Sequence, residues 1–342
     1  MRALSPRLKH PSGPSARGGF TLIEILAVIL IISILMAFLL PAINSVRTRA
    51  RVTSVRTEIA SLESAITAFK TQYGTEPPSS LVIYEEPLAA GGWASSSPST
   101  QAVDSRAKIR QIWPQFDFSV VRDFNLNGTP LNGKPGEVIT LTQGECLVFF
   151  LGGILKRPED ANNNGLFDSG EDQNADGKLS INVGTQRSFC TGFSKNPFNP
   201  FASGGNRDTA IFEFDTSRFV DVDGDNFPEF VDPLPSQTAP YVYASSYSGA
   251  GYRYNSSSPL FEFAGSSTGP MFFPTMPYLQ GSGAGALPWK AKGFQIVSPG
   301  YDKKYGTFGS YSTDTASSDL SGSRDVEADN ITNFAPGTLG GK

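Results

Sequence analysis

The chain is 342 residues long, with 28 basic and 32 acidic residues, a formal net charge of −4, one histidine and two cysteines. An acidic balance argues against a nucleic-acid partner. The histidine is His10 and the cysteines form no CxxC, so nothing further along supplies an imidazole nucleophile pair, a His-based zinc site or a thiolate cluster. The 35 glycines and 25 prolines point to a loop-rich head rather than a helical bundle.

Residues 1–19 are a basic leader containing Arg2, Arg7, Lys9 and Arg17, no acid, and a Gly18-Gly19 end. Phe20-Thr21-Leu22-Ile23-Glu24 follows, and then an uncharged apolar run from Ile25 to Leu40. An ordinary secretory signal places its small-residue site after the apolar core, so cleavage discards the core. Here the site precedes the core, which is therefore retained. With its flanks, residues 20–43, the segment reaches the roughly 20 residues needed to span a bilayer. An ionised carboxylate in an apolar segment costs several kcal/mol unless paired. Glu24 thus marks either a partner group or a helix N-terminus outside the hydrocarbon, where negative charge is favoured.

The GG-FTLIE sequence and the apolar run with Pro41 resemble the prepilin-type cleavage and methylation segment of type IV pilins and type II secretion pseudopilins. The resemblance implies cytoplasmic-side cleavage between Gly19 and Phe20 by a prepilin peptidase, and N-methylation of Phe20. It also implies an assembly role for Glu24 against the N-terminal amine of a neighbouring subunit. The implied partners are other pilin-like subunits, including minor pseudopilins, an inner-membrane assembly platform and membrane lipid. The implied location is a single pass of the bacterial inner membrane with the head in the periplasm, followed by a periplasmic pseudopilus or a cell-surface pilus. Arg47, Arg49, Arg51 and Arg56 compete with the leader for the positive-inside role, so the orientation rests on the resemblance. Cleavage removes four basic residues and no acid, taking the formal charge from −4 to −8.

Pro41 predicts a kink rather than an end, because it removes one helical hydrogen bond inside a strong helical pattern. Val46, Val55, Ile59, Leu62, Ile66, Phe69 and Tyr73 recur mostly at three- and four-residue spacing, the buried stripe of an amphipathic helix over residues 44–78 that Gly74, Pro77 and Pro78 bring to a stop. The head then occupies 79–342. Residues 79–104, rich in Ser, Ala and Gly, read as a mobile or poorly packed insertion. Apolar runs at 145–151, 210–214, 241–246 and 293–298 read as strands. A long helix with one apolar stripe needs a sheet to cover it, giving an α+β fold: a helix packed on a small antiparallel sheet in a pilin-like head with large loop insertions. Cys146 and Cys190 suit either a disulfide, favoured in an oxidising periplasm, or two separately buried thiols.

The sharpest chemistry lies in acidic loops. Asp160, Asn162, Asn164, the Leu166 carbonyl, Asp168 and Glu171 stand at the oxygen-ligand positions of a twelve-residue calcium loop, with Gly165 at its sharp turn. Asp172, Asn174 and Asp176 begin a second loop that lacks a closing acid, since Val183 holds the twelfth position. Asp221, Asp223 and Asp225 begin a third, with Asp232 at its twelfth position and its glycine displaced. Asp123 to Gly128 is weaker, because Lys134 stands where an acid belongs. The competing reading of each is an Asx-turn loop without metal. Phe294 to Gly306 followed by Asp329 to Phe334 is similar to the C-terminal strand, loop and ending of major type II pseudopilins, whose loop binds calcium. That resemblance implies Asp302 and Asp329 as ligands, although Lys303 replaces the usual glycine. Asp232-Pro233 with Pro240 to Tyr243 resembles another segment of the same family, with Leu234 in place of its tryptophan.

Tyr241, Tyr243, Tyr247, Tyr252, Tyr254, Phe272, Phe273 and Trp289 suit core packing or, if exposed together, a ligand surface. The function expected is a structural, non-enzymatic subunit of a type II secretion pseudopilus with structural calcium. The neighbouring alternatives are a type IV pilus subunit and a calcium-dependent adhesin or cargo-binding module on the same anchor.

Overall fold

The structure is a computed structural model describing residues 19–128, 136–162, 166–168, 170–202, 204–252, 276–281, 285–314 and 316–341. Asn164, Gly165, Lys134, Tyr254, Phe272 and Phe273 lie outside the described residues. The chain divides into two compact units, Met1–Ala50 and Arg51–Lys342.

Helix α1 (Leu22–Tyr73) begins in the first unit and runs through Pro41 without ending. Every described residue up to Ala50 is exposed, including the whole apolar run. A helix that is apolar on every face requires an apolar surrounding, and this one is long and apolar enough to cross a membrane.

In the second unit α1 buries Val52, Val55, Ile59, Leu62, Ala65, Ile66 and Phe69. That is the expected stripe with Val52 and Ala65 added. Val46 is exposed in the first unit, and Tyr73 is half-buried against Phe69 and Trp113. In chain order the rest comprises β1 (Leu81–Tyr84), α2 (Thr100–Ile112), β2 (Val138–Leu141), α3 (Gln143–Gly152), β3 (Leu155–Lys156), β4 (Asn182–Val183), β5 (Gln186–Arg187) and β6 (Phe189–Cys190). Then come β7 (Phe219–Val220), β8 (Glu229–Phe230), β9 (Val242–Ser245), β10 (Leu279–Gln280), β11 (Phe294–Ser298), β12 (Ser310–Tyr311), α4 (Ala316–Asp319) and β13 (Ile331–Thr332). The architecture is α+β, with the helix packed against small antiparallel sheets. The largest is β13-β11-β9; the others described are antiparallel pairs, apart from the parallel pair β10-β12.

Three glutamates tie α1 to chain that returns from far away. Glu58 accepts from Arg218 and, at 2.7 Å, from the Tyr241 hydroxyl. Glu63 accepts from Asn333 at 2.9 Å and pairs with Lys290 at 3.2 Å. Beyond the helix end, buried Glu76 pairs with Lys70 at 3.1 Å and accepts from Ser245 at 2.7 Å. Hydrogen bonds to charged groups contribute about 1.5–3 kcal/mol each where partly buried.

Several local expectations are corrected. Residues 145–151 are helical: all ten residues of α3 are buried, so its apolar run is that of a core helix rather than a strand. Residues 210–214 do not pair as a strand. The Ile211 and Phe212 amides instead donate to the Leu151 carbonyl at 2.8 and 3.1 Å, satisfying the end of α3. Residues 79–104 are not a loose insertion, since they supply β1, the start of α2 and the buried Trp93, which meets Tyr84, Phe116, Phe118 and Phe124 edge-on. Cys146 and Cys190 are not joined. Cys190 packs on Gly152, which lies six residues beyond Cys146 on α3. At 1.5 Å per residue that is about 9 Å, too far for disulfide geometry. The Cys146 thiol faces the Leu141 carbonyl, and burial pushes the Cys190 thiol up to about 12.

Candidate assembly segment and cation loops

At the start of α1, Glu24 Oε2 accepts from the Thr21 amide and the Thr21 hydroxyl, both at 2.8 Å, while Thr21 Oγ1 accepts from the Glu24 amide at 3.3 Å. This is a reciprocal capping box: a Thr at the helix boundary and an acid three residues on satisfy each other's backbone donors. The helix-N-terminus role weighed for Glu24 beside its intersubunit one thus takes the form of a capping box, which Thr21-x-x-Glu24 spells out. At Gly19 a Cβ would meet nothing within 4 Å. Folding therefore does not demand glycine there, and any demand for a small residue comes from elsewhere.

In the first acidic loop the chain closes on itself. Glu171 Oε1 accepts from the Ala161 and Asn162 amides at 3.1 and 3.3 Å, and Asn162 Nδ2 donates to Asp168 Oδ2 at 2.8 Å. The twelfth-position acid thus lies back over the loop's first residues, beside Asp160, which is itself buried. Glu171 Oε2 is buried and accepts no hydrogen bond. An anionic oxygen in that state is costly without a counter-charge, and a hard cation suits it.

Sequence reasoning missed Glu159 just before this loop. Fully buried, it accepts from the Gln173 amide at 2.8 Å and the Ser180 amide at 2.7 Å, fixing the loop to its successor. In that second loop, Asp172 accepts from the Asp176 and Gly177 amides at 3.2 and 2.8 Å. Asp176 accepts from Lys178 N at 3.1 Å and from the Ser180 hydroxyl at 2.6 Å. Asn174 donates to Asp176 and Ser180. Both carboxylates are engaged as turn-forming acceptors.

The Asp123, Asp172 and Asp221 loops share one backbone signature, with positive φ three and five residues after the leading aspartate. The residues are Leu126 and Gly128, Ala175 and Gly177, and Gly224 and Asn226. The third loop's displaced glycine therefore changes the residues but not the path, because Asn tolerates this region better than most side chains. Buried Arg157 and Asn226 gather the three loops. Arg157 donates to the Leu179 and Asn226 carbonyls at 2.9 and 2.7 Å, and Asn226 donates to the Asn125 and Leu179 carbonyls.

Asp232 does not close the third loop. Its carboxylate accepts from the Leu234 amide at 2.9 Å, Gln237 at 2.9 Å and the Ser298 hydroxyl at 2.6 Å, and is held at β11. Near Asp223 and Asp225 the structure instead places Glu145 from α3, the ligand oxygens of all three lying within 4.8 Å of one another. Glu229 is also close, accepting from the Val222 amide at 3.1 Å. Burial, reinforced by the neighbouring carboxylates, pushes Asp225 up to about 7 and Glu229 up to about 9, and raises Asp223 and Glu145. Lys178 pairs with Asp221 at 3.4 Å at the edge of the group.

The C-terminal pair is brought together across 27 residues. Asp329 Oδ2 accepts from the Tyr301 and Asp302 amides at 2.6 and 3.0 Å, and Asp302 Oδ1 accepts from the Lys304 amide at 2.8 Å. Gly300 makes this approach possible: its φ is +69° and a Cβ would stand 2.4 Å from the Asp329 carbonyl oxygen. Burial, then repulsion from Asp329, raises the Asp302 carboxyl. Of the aromatic residues singled out, Tyr241, Tyr243 and Tyr252 are buried and Trp289 stacks on Phe334 at 5.2 Å, which is core packing.

The model of the prokaryotic N-terminal methylation motif matches residues 14–40, a type IV prepilin-like signal. No curated protein and no solved structure matches the chain. The signal supports a pilin-like or pseudopilin subunit in general, a class that is typically non-enzymatic, processed by a prepilin peptidase and assembled with other pilin subunits, and the apolar helix near the N-terminus fits a membrane-anchored pilin.

Proposed function

From that prepilin-type signal, we propose that the chain is a subunit of a type II secretion pseudopilus, cut after Gly19 and N-methylated on Phe20. The head stands in the periplasm, and Glu24 acts between subunits in assembly. The observation that carries the choice of secretion over a pilus is the C-terminal loop, where the Asp329 carboxylate accepts from the Asp302 amide beside Gly300 in a segment similar to the ending of major pseudopilins. Structural Ca2+ orders the head, chiefly at Asp160–Glu171 and at Asp302 with Asp329. The support is the orphaned, buried Glu171 Oε2 and the Asp329 carboxylate brought onto the Tyr301 and Asp302 amides.

The test is deletion of the gene followed by complementation with wild type or Glu24→Leu. The expected result is loss of protein export, restored by wild type but not by Glu24→Leu, with surface pili unaffected throughout. Normal export together with loss of surface pili would overturn the secretion role in favour of a type IV pilus. Equal filament yield and length from Glu24→Leu and wild type, seen by electron microscopy, would remove the assembly role of Glu24.

A further inference from the structure

We propose that Glu145, at the first turn of α3, closes a calcium site with Asp223 and Asp225 of the β7–β8 loop, in the place that sequence spacing assigns to Asp232. Glu145 is 1% exposed. Its Oε2 accepts from the Thr142 amide as the acid of a helix capping arrangement, but its Oε1 is buried with no hydrogen-bond partner. The Glu145 carboxylate belongs to the three-carboxylate group whose ligand atoms, one from each residue, all lie within 4.8 Å of one another. Calcium holds oxygens at 2.3–2.6 Å, so two ligands of one ion stand at most about 5 Å apart, and the group fits around a single ion. The donors are all carboxylate oxygens, with no imidazole or thiolate, which selects a hard cation.

Among the described residues, no Lys or Arg forms an ion pair with Glu145, Asp223 or Asp225. Lys178 pairs with Asp221 and donates to the Gly224 carbonyl at 3.2 Å. Arg157 attracts Asp221 and Asp225, but its NH1 and NH2 groups are committed to carbonyls. Access exists from two sides. Asp223 is exposed, and Glu145 lines a cavity of about 700 Å³ that also reaches Asp123 and Asp160. A site assembled this way joins the N-terminus of a core helix to a surface loop 78 residues later, so calcium there would staple the loop to the centre of the head.

This inference stands apart from the filament reading and from the Asp160–Glu171 loop, and the experiment separates them. Calcium alone is titrated calorimetrically into the full-length chain in detergent, for wild type, Glu145→Gln, Asp223→Asn and Asp160→Ala. Glutamine keeps a carbonyl for the Thr142 amide, and Asp223 lies on the surface, so Asp223→Asn probes the site without touching the core. Far-UV circular dichroism and thermal midpoints in chelator verify folding. The expected result is that Glu145→Gln and Asp223→Asn each weaken the same class of calcium binding at least tenfold, while Asp160→Ala weakens a different class. The proposal is overturned if the Asp223→Asn isotherm superposes on wild type. It is also overturned if Asp160→Ala alone lowers binding, a result that leaves the first loop's assignment standing.

Discussion

Leu30 and Leu62 sit on one helix and differ in everything that matters for folding. Leu30 is 56% exposed in a segment with no buried face, whereas Leu62 is fully buried in the stripe that meets the sheets. The same residue type therefore has two functions set by surroundings: one prepares a surface for lipid or neighbouring subunits, the other holds a head together. The first unit carries its message in composition and order, so it is legible as a linear string. The second carries its message in juxtaposition.

The largest effect should come from Gly19→Leu, expected to leave only full-length precursor in intact-mass measurements. The head's thermal midpoint should stay unchanged, since among the described residues nothing lies within 4 Å of a Cβ built at Gly19. A normally matured product would break the assignment of the cleavage site. Next, Leu62→Ala should lower head stability by about 2–5 kcal/mol in denaturant unfolding, as buried leucine truncations do. Leu30→Ala should change it by less than about 0.5 kcal/mol. Equal losses would erase the contrast between the two halves of α1. Glu58→Ala should cost about 1.5–3 kcal/mol by removing the Tyr241 hydroxyl's acceptor and a charged partner of Arg218, which keeps the Val231 carbonyl. Glu58→Gln, which keeps an acceptor, should recover part of that loss. Among the variants expected to lose something, Asp160→Ala should lose least, with calcium affinity reduced about tenfold, about 1.4 kcal/mol. It should also shrink the rise in thermal midpoint that calcium gives the wild type, by mass action on the folded state.

The stripe from Val55 to Phe69 was readable because one face is buried and the other is not. Helix α3 was hidden for the opposite reason: with all ten residues buried, its sequence has no polar face to reveal a 3.6-residue period. The one available signal was Thr142-x-x-Glu145, a helix-start pattern. Strands β9 and β11 emerged where apolar, β-branched runs were expected, while Ile211 and Phe212 were drawn off to serve the carbonyl end of α3. Spacing located the acidic loops as chain segments. It could not reveal that Asp232 is held by Ser298 and Gln237, or that Glu145 takes a place beside Asp223, because both depend on elements remote in sequence.

The three glutamates along and just beyond α1 act as fixed addresses. Arg218 and Tyr241 report to Glu58, Lys290 and Asn333 to Glu63, and Ser245 to Glu76. Because these anchor points determine where the chain comes home, exposed turns between them are the places where the chain can lengthen without moving the frame. An insertion beside Gly205, where a side chain would meet nothing, lies between addresses rather than on one. The head is thus built as a chassis with interchangeable panels, a ready-made carrier for grafted epitopes repeated along a polymer.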